Sequence, residues 1–142
     1  MIKKISQLGM RITFSDFYLG YKGIFAEQKK EFIKALSDYL SVKYVYLLNS
    51  GTSAFYLILE ALKRLSSKRE VILPAYTAPA MVLPVLKAGL KPILCDISLN
   101  DFNMDLDLLS QIINPDTLCV VPAHMFGVPV ASTDKIKERF SN

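Results

Sequence analysis

Residues Val42–Leu62, VKYVYLLNSGTSAFYLILEAL, change from a strand pattern to a helix pattern within one stretch. The run VKYVYLL is β-branched and aromatic, which suits a buried strand. Asn49, Ser50 and Gly51 then punctuate it as a tight turn. Ala54, Leu57, Ile58, Ala61, Leu62 and Leu65 follow at helical spacing, and Lys63, Arg64 and Lys68 stand near the helix end, where the dipole favours cations. The glycine and small hydroxyl residues of NSGTS therefore fall at a helix N-terminus, where free backbone N–H groups hold an anion, most often a phosphate. The stretch is neither GxxxxGK followed by Ser or Thr nor GxGxxG. It also reads as an ordinary strand-to-helix turn with a Ser or Thr cap.

Working outward, the same alternation recurs on both sides. Upstream, Phe25, Phe32, Ile33, Leu36, Tyr39 and Leu40 mark one face of a surface helix over Phe25–Leu40. Downstream, the pattern predicts a strand at Val71–Leu73, a helix from about Pro79 to Ala88 closed by Gly89, and a strand at Pro92–Asp96. A helix from about Asp105 to Ile113 and a strand at Leu118–Pro122 complete it. Pro84 lies inside the second of these helices, where it removes a backbone bond and bends the axis. Counting Val42–Leu48, four short apolar strands alternate with helices, which is the pattern of an α/β fold with a parallel sheet covered on both faces. In such a sheet ligands bind beyond the carboxyl ends of the strands, so the informative loops are Asn49–Ser53, Ala75–Ala80, Asp96–Asp105 and Ala123–Gly127. Ser132 or Thr133 can cap a last helix from about Asp134, with Ile136 and Phe140 inward. The chain then stops at Asn142, so the α/β wind reads as unfinished.

The 142 residues are 51% hydrophobic and 21% charged, the balance of one folded domain with some apolar surface to spare for another chain. Prolines and lysines break the richest apolar stretch, Ala75–Cys95, so no membrane span is expected. Ser6, Gln7 and Arg11 interrupt the apolar stretch that a signal peptide needs. Cys95 and Cys119 sit in apolar runs as buried reduced thiols, and the compartment is read as cytoplasmic. The net charge of +4 is spread over polar helix faces with no basic stripe, which argues against nucleic-acid binding.

The succession NSGTSAFYLILEAL, VILPAYTAPAMVLPVLKAGLKPILCDI, FNMDLDLL and VVPAHMFGVP resembles the DegT/StrS family of pyridoxal-phosphate-dependent sugar aminotransferases, in the same order and at similar spacing. The resemblance runs from about Phe25 to the end of the chain, leaving 1–24 as an N-terminal segment. It implies that 25–142 is the first part of a fold-type-I, aspartate-aminotransferase-like large domain. It implies that Gly51, Thr52 and Ser53 match the SGT loop that binds the phosphate of pyridoxal 5'-phosphate. It implies, further, that PAYTAPA, with Tyr76 and Ala78, lies over one face of the pyridine ring. The family usually has an aromatic residue where this chain has Ala78. A lost stacking ring is worth about 1 kcal/mol, a role left to Tyr76 or to a partner chain.

The resemblance also implies an enzyme that moves an amino group from an amino-acid donor to a nucleotide-linked keto sugar, with its active site at a dimer interface. The family's pyridine-pairing aspartate and its Schiff-base lysine fall beyond Asn142. The chain is therefore expected to be an N-terminal fragment, a split gene's first half or a remnant, inactive alone or completed by a C-terminal chain. His124, the single histidine, matches a histidine of the family's loop and is read as orienting or structural rather than as a base. Asp96 and Asp101–Asp107 read as caps and turns, with no metal site. Two other classes stay open: a non-catalytic regulatory module that keeps the phosphate loop, and a sugar-phosphate-binding α/β domain.

Overall fold

The computed structural model describes residues 13–25, 28–124, 128–130 and 136. It divides into two compact units, Met1–Leu47 and Leu48–Asn142. The first contains α1 (Phe14–Phe25) and α2 (Gln28–Leu40). Thr13 starts α1 by exchanging bonds with Asp16: its backbone N–H and its hydroxyl both donate to Asp16 Oδ2 at 2.7 Å. The expected Phe25–Leu40 helix is present as α2, and α1 is an addition to the sequence reading.

Val42–Leu48, expected as a strand, is not one: it carries no strand pairing, and Tyr44 and Tyr46 are exposed. A strand exists only through a ladder with a neighbour, and among the described residues no strand pairs with this run; the N–H of Val42 instead donates to Ser37 O at 3.1 Å, back to the end of α2. Among the described residues the sheet accordingly has three strands rather than four.

The second unit is built from α3 (Gly51–Leu65), β1 (Glu70–Pro74), α4 (Pro79–Lys87), β2 (Lys91–Cys95), α5 (Leu106–Ile112) and β3 (Thr117–Val120). The strands are parallel in the order β2-β1-β3, so β1 is central and buried along its whole length. Its side chains alternate between two cores. Val71 and Leu73 pack with Leu59 of α3, Val85 of α4, Ala88 and Leu90, whereas Ile72 packs with Cys95, Met104 and Leu109 of α5. One crossover runs from β1 to β2 and the next returns past β1 to β3, and this reversal places α4 and α5 on opposite faces. The β1–β3 register shifts by one residue between Glu70 and Val71, leaving Leu118 as a bulge that lets Leu118 and Cys119 share a core.

The helix ends follow local chemistry. Gly89, at φ +69°, closes α4: its N–H donates to Leu86 O, and Leu90 N–H to Val85 O, both at 3.0 Å, while Leu90 and Val85 meet in the core. Pro84 lies inside α4, buried, as expected. Asp105 caps α5 by accepting from the N–H groups of Asp107 and Leu108. The expected caps Ser132 and Thr133 lie outside the described residues. Ile136 is helical, half-buried and packed against the α5-side core.

Candidate anion site at the head of α3

Ser50 is extended (φ −160°, ψ 157°), and its Oγ accepts from Ser53 N–H at 3.1 Å while donating to Ser53 Oγ at 3.0 Å. Ala54 N–H reaches Ser50 O at 3.0 Å. The first-turn N–H groups of Gly51 and Thr52 have no partner inside the helix, which is the condition for receiving an anion. A Cβ built on Gly51 would meet nothing within 4 Å, and Gly51 has an ordinary helical backbone. Thus the glycine leaves open space at the helix head and does not serve a strained turn.

Helices α3 and α4 run side by side in the same direction. Thr52 and Ser53 share a hollow with Leu83, while Lys63, nearer the other end of α3, donates from Nζ to Ala88 O at 2.6 Å. Because α4 leaves the carboxyl end of β1, the head of α3 lies toward that same edge of the sheet. The hollow has a volume of about 310 Å³, lined by Thr52, Ser53, Tyr56 and Leu57 of α3 and by Leu83, Pro84 and Lys87 of α4. The Lys87 ammonium stands 5.2 Å from the centre of the Tyr56 ring.

The structure therefore brings Thr52 and Ser53 together with Tyr56 and Lys87, two residues missed in the sequence reading. Helical spacing was the available signal, since Tyr56 is four residues beyond Thr52. Tyr76 is exposed in the bend after β1, and Ala78 is the N-cap of α4, with Pro79 in its first turn; neither lines the hollow. His124 follows β3, and its Nδ1 accepts from Val130 N–H at 2.9 Å.

Chemically the helix head offers backbone N–H groups and hydroxyls, donors that suit an anion. Burial pushes the Cys95 thiol up to about 11, helped by the charges of Asp105 and Asp96, and burial also raises Cys119, so neither is a reactive thiolate at neutral pH. Among the described residues no group of His, Cys, Asp and Glu could hold a metal ion, and no helix is long and apolar enough to cross a membrane. On the far side of the sheet Glu70 accepts from Lys91 Nζ at 2.8 Å and Asn114 Nδ2 at 2.7 Å. The Lys91 bond first, then Asn114, holds its carboxyl below the usual range.

A parallel sheet with helices on both faces and a free helix head toward its carboxyl edge defines an α/β fold of the doubly wound class. Within that class the chain belongs to the DegT/DnrJ/EryC1/StrS aminotransferase family, whose pattern matches residues 21–139. It is 36% identical over 108 residues to GDP-perosamine synthase of Caulobacter vibrioides, covering 76% of this chain and 29% of that protein. It is 39% identical over 98 residues to the 3-oxo-glucose-6-phosphate:glutamate aminotransferase of Bacillus subtilis, covering 69% of this chain and 22% of that one. The chain thus spans under a third of the length of these relatives.

Solved structures agree. PseC of Helicobacter pylori, an aminotransferase of pseudaminic acid biosynthesis, superposes with a TM-score of 0.70 at 28% identity, over 82% of this chain and 32% of that one. NtdA of Bacillus subtilis, with the cofactor PMP bound, superposes with a TM-score of 0.69 at 35% identity, over 79% of this chain and 26% of that one.

Proposed function

We propose that residues 25–142 are the N-terminal part of the large domain of a pyridoxal-phosphate-dependent aminotransferase, whose substrates are a nucleotide-linked keto sugar and an amino-acid donor. The single observation that carries this reading is the head of α3: two N–H groups without intrahelical partners, two hydroxyls and open space over Gly51, in a chain that belongs to a sugar aminotransferase family.

The residues fit the cofactor's phosphate. Gly51 and Thr52 would donate N–H groups to its oxygens, Thr52 and Ser53 would add hydroxyl donors, and the dipole of α3 would favour its negative charge. Tyr76 and Ala78, on the loop after β1, would bound the ring, with Tyr76 or a partner supplying the stacking that Ala78 cannot. When bound, pyridoxal phosphate supplies the electron sink for amino transfer. The chain's own residues bind and orient it. None of them matches the family's Schiff-base lysine motif, so the chain alone is expected to release no keto acid from glutamate. Completion would come from a C-terminal segment or chain and from a second protomer in a cytoplasmic homodimer. Leu57, Ile58, Leu83 and Leu86, all exposed on α3 and α4, support a covering partner.

The test is a titration of the ¹⁵N-labelled chain with pyridoxamine phosphate, which lacks the aldehyde that would condense with surface lysines. Saturable shifts at the amides of Gly51, Thr52 and Ser53, competed by inorganic phosphate, are expected. Shifts absent there, or spread over surface lysines alone, refute the site. Binding that inorganic phosphate or a sugar phosphate matches fully would favour a general phosphate-binding module.

A further inference from the structure

Two loops leave the carboxyl edge of the sheet on either side of β1, one after β2 and one after β3. The first, Asp96–Asp105, is a narrow hairpin. Asp105 N–H donates to Asp96 O at 3.0 Å and Ser98 N–H to Asn103 O at 2.8 Å, and Ile97 and Met104 form an antiparallel bridge.

Asn103 lies beside the turn of this hairpin, opposite Ser98, and is only 2% exposed. A carboxamide so deeply buried is costly unless it is bonded. Its Nδ2 donates to Asp101 Oδ2 at 3.1 Å and, 26 residues further along the chain, to the carbonyl of Pro129 at 3.4 Å. The next group along the backbone is the N–H of Val130, a residue 4% exposed, and it donates to Nδ1 of His124 at 2.9 Å.

The Pro129 carbonyl and the Val130 N–H are the two ends of one peptide group. We propose that Asn103 and His124 are positioning residues that clamp this peptide from its two sides, fastening the segment after β3 to the hairpin after β2. An imidazole nitrogen that accepts a backbone N–H carries no proton, so the neutral ring of His124 has its hydrogen on Nε2. The exposed histidine therefore offers a ligand a hydrogen-bond donor and not a base. Its suitable partner is an acceptor oxygen of phosphate, carboxylate or phenolate type, and that ligand-side consequence rests on the cofactor site proposed above.

Long-range imidazole ¹⁵N–¹H spectra of the full chain decide the tautomer, and amide exchange at Val130 decides the clamp. The expected result is a proton on Nε2 and a protected Val130. His124→Asn keeps an acceptor near the Nδ1 position and should leave Val130 exchange within about twofold of the original. His124→Gln loses that acceptor and should exchange about fivefold faster, the factor that corresponds to one net hydrogen bond. Asn103→Ala should also speed Val130 exchange, and if this buried variant fails to fold, the two His124 variants still decide. A proton on Nδ1, or equal Val130 exchange in the Asn and Gln variants, overturns the clamp. Failure of pyridoxamine phosphate to bind the unaltered chain would instead overturn the cofactor reading and leave the exchange results to stand.

Discussion

Ser50 separates capping from anion binding, because its side chain serves the helix while the N–H groups beside it remain free. In Ser50→Ala, Ser53 N–H loses its 3.1 Å bond to Ser50 Oγ. Loss of a serine cap costs about 1 kcal/mol, which for a unit the size of Leu48–Asn142 lowers Tm by about 4–8 °C. Ser50→Asp keeps a capping oxygen and adds a charge that the helix dipole favours, so its Tm should stay within about 3 °C of the original. The same charge repels a bound phosphate. At a separation of about 6 Å and an effective dielectric of about 40, each unit of phosphate charge feels about 1.4 kcal/mol, a tenfold loss of affinity. Thermal unfolding followed by circular dichroism, paired with a pyridoxamine phosphate titration, reads both quantities. The reasoning fails if Ser50→Asp is as stable as the original and binds pyridoxamine phosphate equally well, since no anion could then sit at this helix head.

Other outcomes follow from the packing. Leu59→Ala removes a fully buried side chain between β1 and α4 and should cost about 2–5 kcal/mol, measured by urea unfolding. Gly89→Ala meets no atom within 4 Å, so its cost is conformational alone, about 1–2 kcal/mol for an L-residue at φ +69°; an unchanged Tm would disprove that account. Glu70 has a lowered pKa, so its contribution is present above the usual carboxylate range and is lost as pH falls through the lowered folded value; Glu70→Gln should flatten that acid limb in a pH series of unfolding midpoints. Lys91 is raised, chiefly by its bond to Glu70, so its contribution holds below the ordinary lysine value and disappears as pH rises through the raised one; Lys91→Met should flatten that alkaline limb.

Most of the elements between Asn49 and Val120 were legible because their signals are local. The helical spacing of Ala54 to Leu65, the capping Asp105 and the closing Gly89 each act within one turn of chain. The short apolar runs around Ile72, Ile93 and Cys119 were readable as strands from their own composition and the breaks that bound them, although only β1, the central strand, is buried along its whole length. The start of α3 at Gly51 and its serine cap were legible from NSGTS, because a helix N-terminus is defined by the few residues that start it.

What the sequence could not determine depends on distant partners. VKYVYLL has every local mark of a strand and is none, because strand formation requires a neighbour's backbone. Tyr56 and Lys87 meet only because α3 and α4 pack side by side, across 31 positions of chain that no periodicity connects. Asn103 and His124 lie in different loops, and their hold on one peptide group exists only once β2 and β3 flank β1. Local chemistry set the caps, turns and helix faces, whereas the pairing of backbone and side-chain groups far apart in the chain was decided by the tertiary fold, since only folding brings such groups within hydrogen-bonding range.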